Sequence, residues 1–352
     1  METRYLVTGA AGHLGNTVVQ ALRAENRRVR ALVMPHELEE ARRRLPKEVE
    51  LVAGNVCDPG SLVPFFENGE ECEQIVIHAA GIVSITAKTD PRVYEVNVNG
   101  TRNIVELCKA SRVAKLIYVS SVHAIPERPQ GETIGEVDRF DPQKVYGAYA
   151  KTKAEATQIV LDAAKEGLFA CVVHPAGILG PFDFEGRNHA TQMVQDYLEG
   201  RLVASVRGGY DFVDVRDVAA GIIACSARGR SGECYILSNK YYPVHEIMET
   251  LHEITGKPRV KTVLPLWFAK LTAPFAEQYY KLLRQPPLFT RYSLYTLESN
   301  ALFSYAKAAK ELNYSPRPLK ESLADTVAWL REQKKLLPKK AARLARGRVS
   351  MI

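Results

Sequence analysis

The chain has 352 residues, enough to bury one large core or two smaller ones, and its 46% hydrophobic and 25% charged content is that of an ordinary soluble globular protein. Its six cysteines, at 57, 72, 108, 171, 225 and 234, show neither C-x-x-C nor zinc-ligand spacing; they read as small core residues in a reducing compartment, and no metal is expected. The net charge of +7 matches seven lysines and arginines, with no acid among them, from residue 334 to the end; this tail reads as a solvated terminus rather than an arm for nucleic acid or an anionic membrane.

Tyr5-Leu6-Val7-Thr8 is a short apolar strand at the N-terminus, so no signal peptide is expected and the protein reads as cytoplasmic. It runs into Gly9-Ala10-Ala11-Gly12-His13-Leu14-Gly15, and residues 16–22 follow with apolar side chains at helical spacing: strand, glycine turn, helix. Gly9 takes a dihedral that a Cβ forbids, Gly12 lets a pyrophosphate approach the backbone, and Gly15 lets the helix pack close to the strand. The free N–H groups and positive dipole end of the helix face the phosphates. Thr8, Gly9, Ala11, Gly12, His13, Leu14 and Gly15 are therefore the candidate dinucleotide cradle, the alternative being a tight turn without a ligand.

Residues 29–33 form the second strand. An acid at its end binds the ribose 2′-OH of NAD, and an arginine there meets the 2′-phosphate of NADP. Met34 stands at that place, with His36 and Glu37 nearby but out of position, and Arg30 points elsewhere if the strand alternates. The third strand, residues 49–53, ends in Gly54-Asn55-Val56-Cys57-Asp58. Asn55 and Val56 can hold an adenine edge, or the turn serves only as the start of a helix capped by Asp58 ahead of Pro59. The fourth strand, residues 74–78, is apolar enough to be buried on both faces, as in a parallel sheet. Ala79, Ala80 and Gly81 after it are small enough for a ribose or nicotinamide to lie against them. Residues 94–109 read as one helix containing Asn97 and Asn99, and a buried Asn in a helix binds something, if only backbone.

The fifth strand, residues 115–119, ends in Ser120-Ser121. Tyr149 and Lys153 share a face of the following helix. An ammonium one turn from a phenol favours phenolate and lowers the tyrosine pKa, which makes a proton-transfer pair. Tyr146 offers a competing hydroxyl, but Ala150 occupies the position where its lysine would be. After the sixth strand, residues 169–173, Pro175, Gly177 and Ile178 suit a turn that covers a ligand. The alternation implies an α/β fold, a Rossmann-type doubly wound parallel sheet with ligands beyond the carboxyl ends of its strands.

After Pro181 the alternation breaks. Residues 1–181 and 209–240 are assigned to the Rossmann domain, with a helix started by Asp214 or Asp217 and a last strand at 234–237. Residues 182–208 and 241–333 form a smaller mixed α/β substrate lobe, and 334–352 the basic tail. Residues 264–283 and 286–295 are rich in Leu, Phe, Tyr and Trp. They read as packing of the small lobe, as the wall of an apolar pocket, or as a weak membrane-surface contact. Lys270, Pro274, Glu277 and Lys281 exclude a membrane span there.

In this order the glycine turn, His78-Ala79-Ala80-Gly81, Asn97-Val98-Asn99-Gly100-Thr101, Tyr118-Val119-Ser120-Ser121, Tyr149-x-x-x-Lys153, the His174 to Pro181 turn and Phe212-Val213-Asp214-Val215-Arg216-Asp217-Val218-Ala219 resemble the extended short-chain dehydrogenase/reductase family. The match covers roughly residues 3–333. Within it, Tyr235-Ile236-Leu237-Ser238 and the segment from Ala306 to Pro318 are similar to the dihydroflavonol 4-reductase-like and 3β-hydroxysteroid dehydrogenase-like branch. The resemblance implies Tyr149 as general acid/base, Lys153 on the nicotinamide ribose, Ser121 (with Ser120 second) on the substrate oxygen, and Asn97 anchoring the site. It also implies a homodimer through the helices of Tyr94 and Tyr149. Reductases of this branch commonly carry Arg where Met34 stands, so of NAD and NADP the sequence tilts toward NAD.

The leading reading is an NAD(P)-dependent oxidoreductase that interconverts a ketone or aldehyde and an alcohol of a small-molecule substrate. The second is a nucleotide-sugar epimerase or dehydratase that retains its NAD. A sugar diphosphate needs cationic or backbone donors, for which Arg187, Arg201 and Arg207 are candidates without a clamp pattern. The third, from another class, is a non-catalytic dinucleotide sensor or RNA-contacting protein, against which the intact Ser121, Tyr149 and Lys153 argue.

Overall fold

The apolar runs of the sequence become the strands of one parallel sheet. A computed structural model describes residues 2–69, 72–84, 90–186, 188–202, 204–271 and 291–336. Its first six strands are β1 (Thr3–Thr8), β2 (Arg28–Val33), β3 (Glu50–Ala53), β4 (Glu73–His78), β5 (Lys115–Val119) and β6 (Ala170–Pro175). Six further strands follow: β7 (Gly177–Leu179), β8 (Ala204–Val206), β9 (Gly209–Asp214), β10 (Cys234–Leu237), β11 (Lys240–Pro243) and β12 (Thr262–Leu264). The main sheet has seven strands in the order β10-β6-β5-β4-β1-β2-β3, every pair parallel. The strand order reverses between β1 and β4, and that switch point opens a crevice beyond the carboxyl ends of the strands. β6 is buried along its entire length, as a strand covered on both faces must be.

Helices cover the two faces. α1 (His13–Ala24) leads from β1 to β2 and α2 (Leu38–Arg44) from β2 to β3. α3 (Pro59–Phe66) starts at Asp58, whose carboxylate accepts from the Gly60 N–H at 3.1 Å, the capping role that the sequence left open. The stretch expected as one helix at 94–109 is composite. It comprises α4 (Pro91–Tyr94), a π-turn at Glu95–Asn99 and α5 (Gly100–Ala110). The π-turn adds a residue to the helical repeat and carries Asn97, a kind of break common at functional sites. α6 (Ala148–Lys165) carries Tyr149 and Lys153 and packs beside α5.

α7 (His189–Leu198) lies in the segment after Pro181. α8 (Val215–Arg228) is capped by Asp214, which accepts from the Arg216 N–H at 2.8 Å, and packs on α1. α9 (Val244–Thr255) ends on Gly256 in the left-handed region, and α10 (Leu319–Leu336) closes the described chain. Asp217, the other candidate start of α8, instead binds Arg317.

The strand ahead of α8 lies outside the main sheet. β9 does not join the main sheet; it pairs in parallel with β7 and antiparallel with β11 in a three-stranded sheet of its own. A second apolar core gathers Leu179, Val194, Tyr197, Ile247, Leu251 and Leu323 from β7, α7, α9 and α10. No helix of the described residues is long and apolar enough to cross a membrane. Most of the aromatic stretch at 264–295 and most of the basic tail lie outside the described residues, as does Arg187.

Candidate active site

Strand ends bring the predicted residues to one edge of the main sheet. Gly9 holds φ at +67°, and a Cβ on Gly15 would lie 2.1 Å from the Gly9 carbonyl, so strand and helix approach as only glycine allows. Gly12 precedes α1 without a side-chain cap, which leaves the first-turn N–H groups to an anion. Asn16, one turn into α1, is 2% exposed, and neither its amide N nor its O has a partner among the described residues. It lines a cleft with Ala10 and Ala11. A buried amide left unpaired is costly, and a polar ligand in that cleft would satisfy it. At the other end of the crevice a Cβ on Gly81 would meet Asn97 Oδ1 at 3.2 Å and Lys153 Nζ at 3.4 Å. These features fit a dinucleotide laid from the glycine turn to Lys153.

Behind this edge runs a buried polar network that the sequence did not disclose. Thr101 Oγ1 donates to the Asn97 carbonyl at 2.7 Å, so it accepts from His78 Nε2 at 3.1 Å. His78 Nδ1 then accepts from Thr8 Oγ1 at 2.7 Å, and Thr8 Oγ1 accepts from the Ala80 N–H at 3.1 Å. The chain of bonds requires neutral His78, and burial lowers its pKa to about 3. Thr8 on β1, Ala80 after β4 and Asn97 on the π-turn are thus held in register. Asn97 also clamps the loop after Gly81, accepting from the Ile82 N–H at 2.8 Å and donating to the Ile82 carbonyl at 3.0 Å. Its amide further donates to Thr152 Oγ1 at 3.1 Å, and Thr152 donates to the Tyr149 carbonyl at 2.8 Å.

The reacting edge lies on the same support. Lys153 Nζ donates to the Val119 carbonyl at 2.8 Å and to Tyr118 Oη at 3.4 Å. Burial lowers its pKa to about 7. Burial pushes the Tyr149 phenol up to about 12, and a hydrogen bond with Ser121 acts against that rise. Desolvation of the phenol dominates, and the group that acts against it is Ser121 rather than the expected Lys153. Ser120 turns toward α6, where its hydroxyl meets Thr157 Oγ1 at 2.7 Å, while Ser121 faces Tyr149. Tyr146, the competing hydroxyl, is 61% exposed and packs on Tyr295.

A cavity of about 340 Å³ adjoins this edge. Val122 and His123, directly after Ser121, line it with Tyr146, Tyr210 and Phe303. The His123 and Tyr210 rings stack, with Nε2 and Oη 3.1 Å apart. Glu127 and Lys144 are the charged residues of the lining, and it holds no arginine among the described residues.

A family model described as the NAD dependent epimerase/dehydratase family matches residues 5–238. The chain belongs to this family, within the extended short-chain dehydrogenase/reductases. It is 32% identical to sterol demethylase protein B of Methylococcus capsulatus, over 93% of this chain and 98% of that protein. It is 30% identical to a candidate dihydroflavonol 4-reductase of Synechocystis, over 94% of this chain and 95% of that protein. The crystal structure of gox2253 superposes with a TM-score of 0.79 at 30% identity, covering 94% of this chain and 98% of that one.

In this member of the family the remaining predicted residues are more scattered. His13 donates from Nε2 to the Pro181 carbonyl at 2.8 Å and so ties the glycine turn to the segment that follows β7. Leu14 packs against the main core. Asn55 Oδ1 accepts from the Cys57 N–H at 3.0 Å, and the Val56 carbonyl accepts from Asn103 at 2.9 Å. Gly177 and Ile178 enter β7, separated by Ala176 from Pro175 at the end of β6. Arg30 turns away, as alternation required, to the Phe65 carbonyl at 3.0 Å and to Glu50 at 2.9 Å. Of the arginines weighed for a diphosphate, Arg201 is tied to Asp196 and Glu199, and Arg207 is exposed.

Proposed function

We propose that the protein is an NAD(P)-dependent dehydrogenase/reductase acting on a ketone or secondary alcohol of a small molecule. The observation that carries this reading is the convergence of Ser121, Tyr149 and Lys153 beside a cavity walled by Tyr146, Tyr210 and Phe303. The names of the relatives, a sterol demethylase protein and a candidate dihydroflavonol reductase, support a flat ring substrate. Of the cationic side chains that could hold a sugar diphosphate, the described lining offers Lys144 alone, set against Glu127. Residues 182–208 and 241–333 are read as the substrate lobe, and the active form as a homodimer.

When bound, the dinucleotide supplies or accepts the hydride; the chain supplies the proton and the orientation. Ser121 Oγ donates to the substrate oxygen and fixes it near Tyr149. Tyr149 holds its proton at neutral pH, because burial pushes the phenol up to about 12. In reduction it donates that proton to the oxygen as negative charge develops there. Lys153 is held one helical turn away by the Val119 carbonyl. There it favours phenolate once the proton has left and reaches the ribose side of the crevice. Asn97 acts through others, positioning the loop after Gly81 and the first turn of α6.

A panel of cyclic ketones and alcohols with NADH, NADPH and their oxidised forms tests the reading. Turnover of at least one apolar ring compound, lost in Tyr149→Phe, supports it. Interconversion of nucleotide sugars without net change of the cofactor overturns it.

A further inference from the structure

Large apolar side chains stand open to solvent singly along the described chain, except at one place. Val263, Trp267, Phe268 and Leu271 are all exposed within one short stretch, Trp267 at 67% and Leu271 at 64%. The stretch runs from β12 into a helical segment at 266–271. Its other side is anchored. Ala269 is buried with Val206 and Leu294, and Leu264, Leu266 and Leu297 pack against them. The Phe268 and Ala269 N–H groups donate to the Pro265 carbonyl, both at 3.1 Å. One face of the segment is thus fixed to the protein and the other presents a contiguous apolar patch.

The charge around this patch has one sign. Residues 257–276 carry Lys257, Arg259, Lys261 and Lys270 and no acid. Arg259 reaches Glu249 at 3.1 Å and Lys270 pairs with Glu298, while Lys261, next to β12, is exposed and has no acidic partner among the described residues. The basic tail leaves the protein from the same side. Lys334, where the tail begins, pairs at 2.8 Å with Glu199, the cap residue that ends α7. Two residues before that cap, Tyr197 donates from Oη to the Lys257 and Pro258 carbonyls, each at 3.3 Å. Shortly after it comes β8, which pairs in parallel with β12. Taken alone the tail is a solvated terminus; its point of departure starts a run of seven cations beside an outward-facing Trp, Phe and Leu.

We propose that this face docks on an anionic lipid surface. Trp267, Phe268 and Leu271 enter the headgroup region, and Lys261 and the basic tail meet the lipid phosphates. A second copy of the chain fits this face less well, because apposing two such faces brings like charges together. Nucleic acid would meet the cations and leave Val263 and Leu271 in water. The helix Arg291–Glu298 joins the patch to the catalytic edge: Leu294 packs with Ala269, and the next residue, Tyr295, lines the cavity beside Ser121 and Tyr149. A docked protein holds that cavity one helix away from the bilayer.

Flotation of the full chain with vesicles of phosphatidylcholine, or of phosphatidylcholine and phosphatidylglycerol in equal parts, tests this together with tryptophan emission. Binding is expected on the anionic vesicles, with a blue shift, and weakens as salt rises. Trp329, the other tryptophan, is buried against Phe182 and Phe184, so the shift reports Trp267. Trp267→Ser combined with Leu271→Ser is expected to lower vesicle affinity by at least about tenfold without moving the melting temperature, since both side chains are exposed. Removal of residues 337–352 lowers it by a similar factor. Val63→Ser, at an isolated exposed residue of α3, leaves it unchanged. No binding to anionic vesicles, binding unmoved by the double substitution or by loss of the tail, or a lipid-free dimer that the double substitution disperses would overturn the proposal. Each readout is of binding rather than turnover, so the outcome is independent of the oxidoreductase reading.

Discussion

Lys153 donates from Nζ to the carbonyl of Val119 at 2.8 Å, which fixes the ammonium at the end of β5, beside the serines that follow it and one turn from Tyr149. Strand and helix thereby share one polar anchor, and Tyr149 is oriented by the same helix turn. Tyr149→Phe keeps the ring that His123 meets edge-on at 5.9 Å and removes only the hydroxyl. It is expected to lower turnover by about 10²–10⁴-fold and to leave dinucleotide affinity within about threefold of wild type. Steady-state kinetics and nucleotide titration on the same preparation check both halves.

Asn97 should behave as a positioning residue. Asn97→Ala strands the buried bonds to Ile82 and releases Thr152. The expected cost is about 1–3 kcal/mol in denaturant unfolding, with a weaker KM for the dinucleotide. A variant with unchanged stability and KM would remove Asn97 from the account.

Acid should destabilise the protein through its buried histidines. His78 and His174 are fully buried, and burial lowers their pKa values to about 3 and about 4. The unfolded chain therefore binds more protons below about pH 6.5. Stability is complete above that pH and is lost as pH falls toward 4, by about 1.4 kcal/mol per pH unit for each histidine. Thermal melts between pH 7.5 and 5.0 should show the fall, and His174→Asn should flatten it.

Met34→Arg places a guanidinium where Glu37 now binds the backbone. It is expected to raise NADPH affinity relative to NADH, read by fluorescence titration. An unchanged ratio would mean that the ribose lies elsewhere.

Gly15→Ala tests the turn itself. A methyl group there would lie 2.1 Å from the Gly9 carbonyl, so helix and strand must separate. Loss of measurable dinucleotide binding and a lower Tm are expected, both read on the purified variant.

The main sheet was legible because its strands are apolar runs bounded by small residues, as at Tyr5–Thr8 and Gln74–His78, where local pattern and final burial agree. The separate sheet that β9 joins was not legible, for a physical reason. Its partners are the three-residue β7 and the polar, half-buried β11, and neither carries a periodic signal. The Thr8–His78–Thr101 network joins residues about 70 and 23 positions apart, a matching that side-chain periodicity does not encode. Asn97 was legible as a buried Asn, but its partner Ile82 was not.

The most direct test of the oxidoreductase reading is to denature the purified protein, identify any nucleotide it releases by absorbance and mass spectrometry, and then titrate the native protein with NADH. The account predicts a dinucleotide that exchanges freely and NADH that binds reversibly. Stoichiometric NAD, released only on denaturation and not displaced by excess NADH, would contradict it and point to the epimerase or dehydratase chemistry.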